Sequence, residues 1–189
     1  LILKTSGATF SVMDREDCLT KINHVKNLFP SDWNLPNVYL LHGSLSNEEM
    51  NKLYNHPKVK SFVSLTHGEG FGRPLLEATM VGLPVIASGW SGQMDFLSEQ
   101  DSILLGGELS QIPKSVVWKD ILIPESSWFI ADEQGSSRAL TYCFENYDEI
   151  KQKALNLMNI NRDKFTLNKM SKALDELMGS YESQMGPAE

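Results

Sequence analysis

The composition of this 189-residue chain is that of an ordinary globular domain, with 41% hydrophobic residues to form a core. A formal net charge of −7 argues against nucleic acid or an anionic membrane surface as the main partner. The sequence shows no signal peptide and no apolar run near the ~18 residues of a membrane-spanning helix. Its two cysteines have neither metal-site nor disulfide-framework spacing. These features predict a protein of the reducing cytoplasm.

Short apolar segments separated by helical patterns predict an α/β fold with a doubly wound, Rossmann-like parallel sheet. The predicted strands are 1–5, 38–41, 61–65, 84–87 and 102–105. The first strand opens the chain without a methionine or a cap, so we expect the sequence to be a piece of a longer protein. A helix is predicted over 14–28, and Ser46 with Glu49 three residues later predicts a capping box at the start of the next one.

The second half of the chain is less regular, apart from its helices. Glycines and prolines punctuate the apolar pieces of 106–131, so this segment is predicted to be an insertion, either a hairpin or an irregular flap. Apolar periodicity predicts the remaining helices at 136–146, 147–158 and 163–181. The predicted division of the chain is a Rossmann-like domain, 1–160, a C-terminal helix, 161–182, and a disordered tail, 183–189.

The most informative stretch, 61–87, has the pattern strand, glycine loop, helix, tight turn, strand. Three glycines fall within five positions of the loop, at Gly68, Gly70 and Gly72. Glycine lets a ligand approach backbone amides closely, and the helix N-terminus that follows favours anions. The loop also follows the carboxyl end of a predicted parallel strand, where such sheets bind ligands. We therefore expect it to receive an anion or a polyol.

Two carboxylates bracket this loop, Glu69 and Glu77, with seven residues between them. We place Glu77 in the first turn of the helix, where a side chain leans back toward the N-terminus and hence toward the loop. An ionised carboxylate can accept hydrogen bonds from vicinal hydroxyls, as on a ribose or a hexose. Amide donors for phosphate and two acceptors for hydroxyls together suit a sugar nucleotide. The alternative for Glu77 is an ion pair with Arg73 on a buried helix.

The segment E-G-F-G-R-P-L-L-E-A, followed by G-L-P-V-I-A, resembles the E-x7-E signature of the retaining GT-B glycosyltransferases, in particular the group 1 (GT4-like) family. The likeness is dense over about 60–100 and looser back to about 37. It implies the C-terminal nucleotide-binding domain of an enzyme that transfers a sugar, such as a hexose, from a nucleotide-sugar with retained anomeric configuration. The alternative from another class is a non-catalytic sugar-nucleotide-binding or scaffold domain.

The resemblance also implies a role for each residue of the segment. Glu69 is implied to be the catalytic-site carboxylate that contacts the donor sugar, and Glu77 to hold the nucleotide ribose. The donor-binding loop between them is implied to comprise Gly70, Phe71, Gly72, Arg73 and Pro74. A turn earlier in the chain, Gly43-Ser44-Leu45, is implied to lie against the nucleotide base, with an ordinary βα turn as the alternative.

Parts of the family pattern are expected to be missing from this sequence. Compared with the family, the chain begins at about the second strand of the domain, before which lie the acceptor domain and a loop that usually supplies an arginine and a lysine to the donor phosphates. We therefore expect these 189 residues alone to bind a donor without turnover. The expected partners are a nucleotide-sugar and the N-terminal acceptor domain of the same protein. Nucleic acid, a metal and any other cofactor are not expected, and contact with a membrane is expected only through the acceptor domain.

Other interpretations of the loop have less support. No Gly-Lys-Ser/Thr follows the glycines, so the loop is not a P-loop, and Arg73 stands where a G-x-G-x-x-G dinucleotide motif has its third glycine. The four histidines have no metal-ligand spacing, and no G-x-S-x-G nucleophile elbow is present. His67 beside Glu69 could form an acid/base pair, but packing or hydrogen bonding at the rim of the crevice is the simpler interpretation.

Overall fold

The computed structural model describes residues 1–5 and 12–185, which contain seven strands and six α-helices. The strands are β1 Ile2–Thr5, β2 Tyr39–His42, β3 Phe62–Ser64, β4 Val85–Ser88, β5 Ile103–Leu105, β6 Gly107–Gln111 and β7 Ser127–Ala131. The helices are α1 Val12–Lys26, α2 Asn47–Tyr54, α3 Arg73–Met80, α4 Glu133–Glu145, α5 Tyr147–Lys164 and α6 Leu167–Met185.

Strand pairing confirms the predicted α/β class. β1 pairs with β2 in parallel, and β3, β4 and β5 form a parallel sheet in that order. The sequence predicted a single parallel sheet. In the structure the five strands instead form two separate parallel sheets, β1 with β2 and β3 with β4 and β5. By its internal contacts the chain divides into two compact units, 1–52 and 53–189. The glycine loop and both predicted site glutamates belong to the second unit.

The core of the second unit forms around β4. All four residues of Val85–Ser88 are buried, as expected for the central strand of a parallel sheet that is covered on both faces. Ile86 packs in a cluster with residues of β5, α4 and α5, namely Leu105, Ala139, Cys143 and Ile150. The loops that follow β3 and β4 therefore extend from this buried core.

The insertion at 106–131 contains a β-hairpin, one of the two predicted alternatives. β6 and β7 pair antiparallel, from Gly107 opposite Ala131 to Gln111 opposite Ser127. Phe129 of β7 is buried and donates its N–H to the His67 carbonyl at 3.2 Å. The hairpin is thus bonded to the segment that leads into the glycine loop.

The last two helices differ from their predicted bounds. α5 runs to Lys164, so the predicted helix start near residue 163 was wrong. A local signal marks the true start of α6, since Thr166 Oγ1 accepts from Lys169 N–H at 3.2 Å and acts as an N-cap. α6 continues to Met185, three residues into the predicted tail, and 186–189 lie outside the described residues.

Asn161 explains why α5 continues, because it bonds this helix to the core. Its side chain is 1% exposed, and its amide donates to Thr79 Oγ1 at 2.9 Å and to the Phe96 carbonyl at 3.1 Å. We expect Asn161→Ala to lower the free energy of unfolding by roughly 1–3 kcal/mol, since two buried acceptors lose their donor. Urea denaturation measures this change. Asn159→Ala, an exposed change on the same helix, should leave stability nearly unaltered, and equal effects of the two changes would contradict the assignment.

Candidate functional site

The glycine loop enters α3 through a backbone conformation that favours glycine. Gly72 has φ +84° and precedes the helix, and its carbonyl accepts from the N–H groups of Leu75 and Leu76 at 2.9 and 3.1 Å. A Cβ at this position would lie 3.2 Å from Leu75 Cδ1. Both the torsion angle and the space therefore disfavour any other residue there.

The loop presents a run of backbone donors without protein partners. Within the described part of the chain, the N–H groups of Gly70, Phe71, Gly72 and Arg73 donate to no acceptor. Consecutive free amides at a helix N-terminus form a site suited to an anion. Pro74 follows at the second helical position and has no N–H of its own. The donor-loop assignment of 70–74 stays a prediction, to which this arrangement gives a physical basis.

Glu69 is held by its backbone and leaves its side chain unused. Its carbonyl accepts from Gly92 N–H at 3.0 Å and from Ser91 Oγ at 2.8 Å. Its carboxylate is partly exposed and makes no ion pair or hydrogen bond with the described residues. Such a carboxylate can accept from sugar hydroxyls.

Glu77 lies in the second turn of α3, because the helix begins at Arg73; its predicted place in the first turn was wrong. Its carboxylate reaches back to Arg73 Nε at 3.0 Å, so the ion pair weighed as the alternative is present. Tyr54 Oη also donates to it, at 3.4 Å. The Glu77 side chain is 38% exposed, which leaves lone pairs open to a ligand.

Burial, together with the negative charge of Glu77, raises the pKa of Tyr54 to about 12. The phenol is therefore neutral at physiological pH and can donate its proton to Glu77. A buried neutral donor on one side and an exposed guanidinium on the other orient the carboxylate. The ion pair and a ligand role for Glu77 are thus compatible.

The ring of Phe71 packs against other aromatic rings, so the part of Phe71 that the loop offers to a ligand is its backbone N–H. The ring lies 5.3 Å from that of Phe96 and 6.0 Å from that of Phe165, which follows α5. The Phe96 and Phe165 rings meet each other edge to face at 6.2 Å. This three-ring cluster fixes the middle of the loop against the end of α5.

An aromatic wall beside the loop was not found by sequence reasoning. His67 stacks on Trp128 with 4.0 Å between ring centroids, and Trp90 stacks on Phe129 at 6.1 Å. His67 Nδ1 lies 2.7 Å from the Phe129 carbonyl, so that nitrogen carries the proton and donates. These contacts agree with the packing role preferred for His67 over an acid/base pair. The wall joins residues of β7 to residues of two loops, which no local pattern indicates.

The turn Gly43-Ser44-Leu45 belongs to the unit 1–52 and is described only within it. Gly43 has φ +101°, and its carbonyl accepts from Lys4 Nζ at 2.6 Å. Lys4 is a basic side chain at this turn that sequence analysis did not single out. Contact of this turn with a nucleotide base stays a prediction.

Among the described residues, the other features that we searched do not point to a second kind of functional site. A cavity of about 360 Å³ lies near the amino end of β5 and is lined by both acidic and basic side chains, including Asp101 and Lys153. The described residues include no group of three or more His, Cys, Asp or Glu side chains that could hold a metal ion. Nor is any described helix both long and apolar enough to cross a membrane.

A family model matches the part of the sequence that contains the glycine loop. The family model described as glycosyl transferases, group 1, matches residues 31–107, which contain β2 to β5 and the glycine loop. Over residues 31–107 the chain is similar to the group 1 glycosyltransferases, and this match together with the fold supports a C-terminal domain of the GT-B type. The resemblance seen in the sequence is thereby confirmed. A comparison with curated protein sequences finds no match.

Among the solved structures similar to the chain are two crystal structures of HepE (Alr3699) from Anabaena. One is a complex with UDP-glucose, with 18% identity and a TM-score of 0.62. The other is a complex with UDP and glucose, with 16% identity and a TM-score of 0.63. Each match covers 95% of this chain but 40% of the HepE chain. At such low sequence identity, the structural similarity to HepE shows that the fold is shared and nothing more.

Proposed function

We propose that the chain is the donor-binding domain of a retaining glycosyltransferase and binds a nucleotide-sugar at 68–77. The observation that carries the proposal is the run of unpartnered amides from Gly70 to Arg73, flanked by Glu69 and Glu77. The amides and the α3 N-terminus supply donors for the diphosphate. The two carboxylates supply acceptors for hydroxyls on either side of it.

In this arrangement the two glutamates act on different parts of the donor. Glu77, oriented by Tyr54 and Arg73, holds the ribose hydroxyls. Glu69 holds the transferred sugar, and its partly exposed carboxylate, which has no partner among the described residues, is open to the sugar hydroxyls. The negative charge that develops on the leaving diphosphate is stabilised by loop amides and the helix dipole. No metal takes part in this proposal.

The first donor class to test is a UDP-hexose. Support comes from the HepE structures, which hold UDP-glucose in one case and UDP with glucose in the other. The acceptor hydroxyl would come from another domain of the whole protein. Since the chain spans 40% of the length of HepE, we expect this segment alone to bind donors without transferring the sugar.

We expect Glu77→Gln to weaken nucleotide binding roughly tenfold, because an amide is a poorer acceptor for the ribose diol than a carboxylate. Isothermal titration calorimetry of the full-length protein with UDP, GDP and ADP measures the loss and identifies the base. UDP-glucose, GDP-glucose and ADP-glucose, titrated in parallel, show whether the sugar adds affinity.

The matched control is Glu149→Gln, which breaks an i,i+4 ion pair with Lys153 (2.7 Å) on α5. It removes the same kind of charge and salt bridge but lies outside the loop, so nucleotide affinity should stay at the wild-type value. Equal affinity of wild type and Glu77→Gln for every nucleotide would refute the ribose assignment. A wild-type protein that binds none of the six compounds would refute the proposed function.

A further inference from the structure

We propose that Ser91 is a positioning residue that holds Glu69 in place for the donor sugar. It belongs to a second loop, residues 88–93, which we call the bracket loop and which begins at the last residue of β4. This inference rests on the proposed function, since it assigns to Ser91 a role in presenting Glu69.

The bracket loop is anchored at both ends in the core. Ser88 and Gln93 are fully buried, and the Gln93 amide donates to the Ser88 carbonyl at 2.9 Å. Ser88 Oγ donates to the Thr66 carbonyl at 3.0 Å, and Gly89 N–H donates to the Leu105 carbonyl at 2.9 Å. The two ends are bonded to each other, to β5 and to the segment just after β3, so the residues between them form a bridge that is held at both ends.

The middle of this bridge holds the backbone of Glu69. Ser91 Oγ donates to the Glu69 carbonyl at 2.8 Å and accepts from its N–H at 3.3 Å. Gly92 N–H donates to the same carbonyl at 3.0 Å. Both peptide groups of Glu69 are therefore fixed while its carboxylate stays free. A binding side chain is positioned for its ligand when its backbone is fixed by neighbouring residues and its polar atoms are left free.

The backbone of Ser91 adopts a conformation that is unfavourable for any residue with a Cβ atom. Its φ is 77° and its ψ is −159°, a region populated almost only by glycine. A glycine there would be relaxed but would lack the hydroxyl that makes the two bonds to Glu69. The strain and the paired hydrogen bonds occur at the same residue, and the bonds account for a serine in a strained position.

The test compares Ser91→Gly with wild type and Glu69→Ala in the full-length protein. Ser91→Gly removes the hydroxyl and relieves the strain, so we expect thermal stability to be equal to or above that of wild type. Affinity for UDP should be unchanged, while the additional affinity for UDP-glucose should fall roughly tenfold. In the Glu69→Ala background the same change should have no further effect, because Ser91 acts through Glu69.

The outcomes separate this inference from the proposed function. Ser91→Gly that lowers UDP and UDP-glucose affinity equally, or lowers neither, would overturn the positioning role while leaving donor binding intact. A further loss in the Glu69→Ala background would also overturn it, because Ser91 would then act independently of Glu69. A wild-type protein that binds neither UDP nor UDP-glucose, nor their guanosine and adenosine counterparts, would overturn the proposed function itself.

Discussion

Replacing Gly92 with alanine is expected to abolish measurable donor binding and to destabilise the protein. A Cβ on Gly92 would lie 2.2 Å from the Gly70 carbonyl oxygen and 2.8 Å from that of Glu69. Both neighbours are backbone atoms, so the clash cannot be relieved by a side-chain rotation. The bracket loop and the donor-binding loop must then move apart, and this moves the amides of Gly70 to Arg73 away from the positions in which they would bind a donor. Overpacking of this kind lowers the free energy of unfolding by roughly 1–3 kcal/mol, and we expect a loss at the upper end of this range because both clashing neighbours are backbone atoms.

Thermal unfolding and donor titration on the same variant check this expectation. The matched control is Gly70→Ala, because Gly70 has no atom within 4 Å of its Cβ position and no positive φ. Its melting temperature should equal that of wild type. Any loss of donor affinity in Gly70→Ala then reports how closely a ligand approaches that part of the loop. A Gly92→Ala protein with wild-type stability and affinity would show that the two loops do not need their close contact.

The second large effect is expected for Glu69→Ala in the full-length protein. If Glu69 holds the transferred sugar, turnover of the nucleotide-sugar should fall roughly hundredfold, the equivalent of losing a charged hydrogen bond in the transition state. Affinity for the free nucleoside diphosphate should stay within about twofold of wild type, because the proposed function assigns that part of the donor to Glu77 and the loop amides. Steady-state kinetics and calorimetry with the diphosphate measure the two quantities separately.

A suitable control is Glu145→Ala, which removes an exposed glutamate at the end of α4. It should leave both turnover and nucleotide affinity unchanged. Equal loss of turnover and of diphosphate affinity in Glu69→Ala would place this carboxylate on the nucleotide or in the folded framework. That result would separate Glu69 from the sugar while leaving the ribose role of Glu77 standing.

Local signals in the sequence were sufficient to predict most of the framework. The capping box is present, since Glu49 Oε2 accepts from Ser46 N–H at 2.7 Å and Glu49 N–H donates to Ser46 Oγ at 3.2 Å. The predicted tight turn after α3 is present two residues beyond Met80, where Gly82 has φ +66° and donates its N–H to the Thr79 carbonyl. Such signals act within one turn of helix, so they can be recognised without knowledge of the tertiary structure.

Errors arose where distant residues decide the outcome. α5 extends beyond its predicted end partly because Asn161 bonds Thr79, 82 residues away. The hairpin could not be chosen over an irregular flap because its attachment joins His67 to Phe129, which are 62 residues apart. The misplacement of Glu77 has a local cause instead, because the left-handed Gly72 starts the helix at Arg73 and so puts Glu77 in the second turn.

The sequence by itself determined the α/β alternation, the glycine loop and the pair of glutamates that bracket it. These follow from backbone preferences of Gly and Pro and from apolar spacing, which depend on near neighbours. Only the tertiary structure decided that Ser91, 22 residues from Glu69, bonds to both of its backbone groups. The parallel order of β3 and β4 brings the loops that follow them to the same edge of the sheet, and hydrogen bonds there join residues that no local pattern relates.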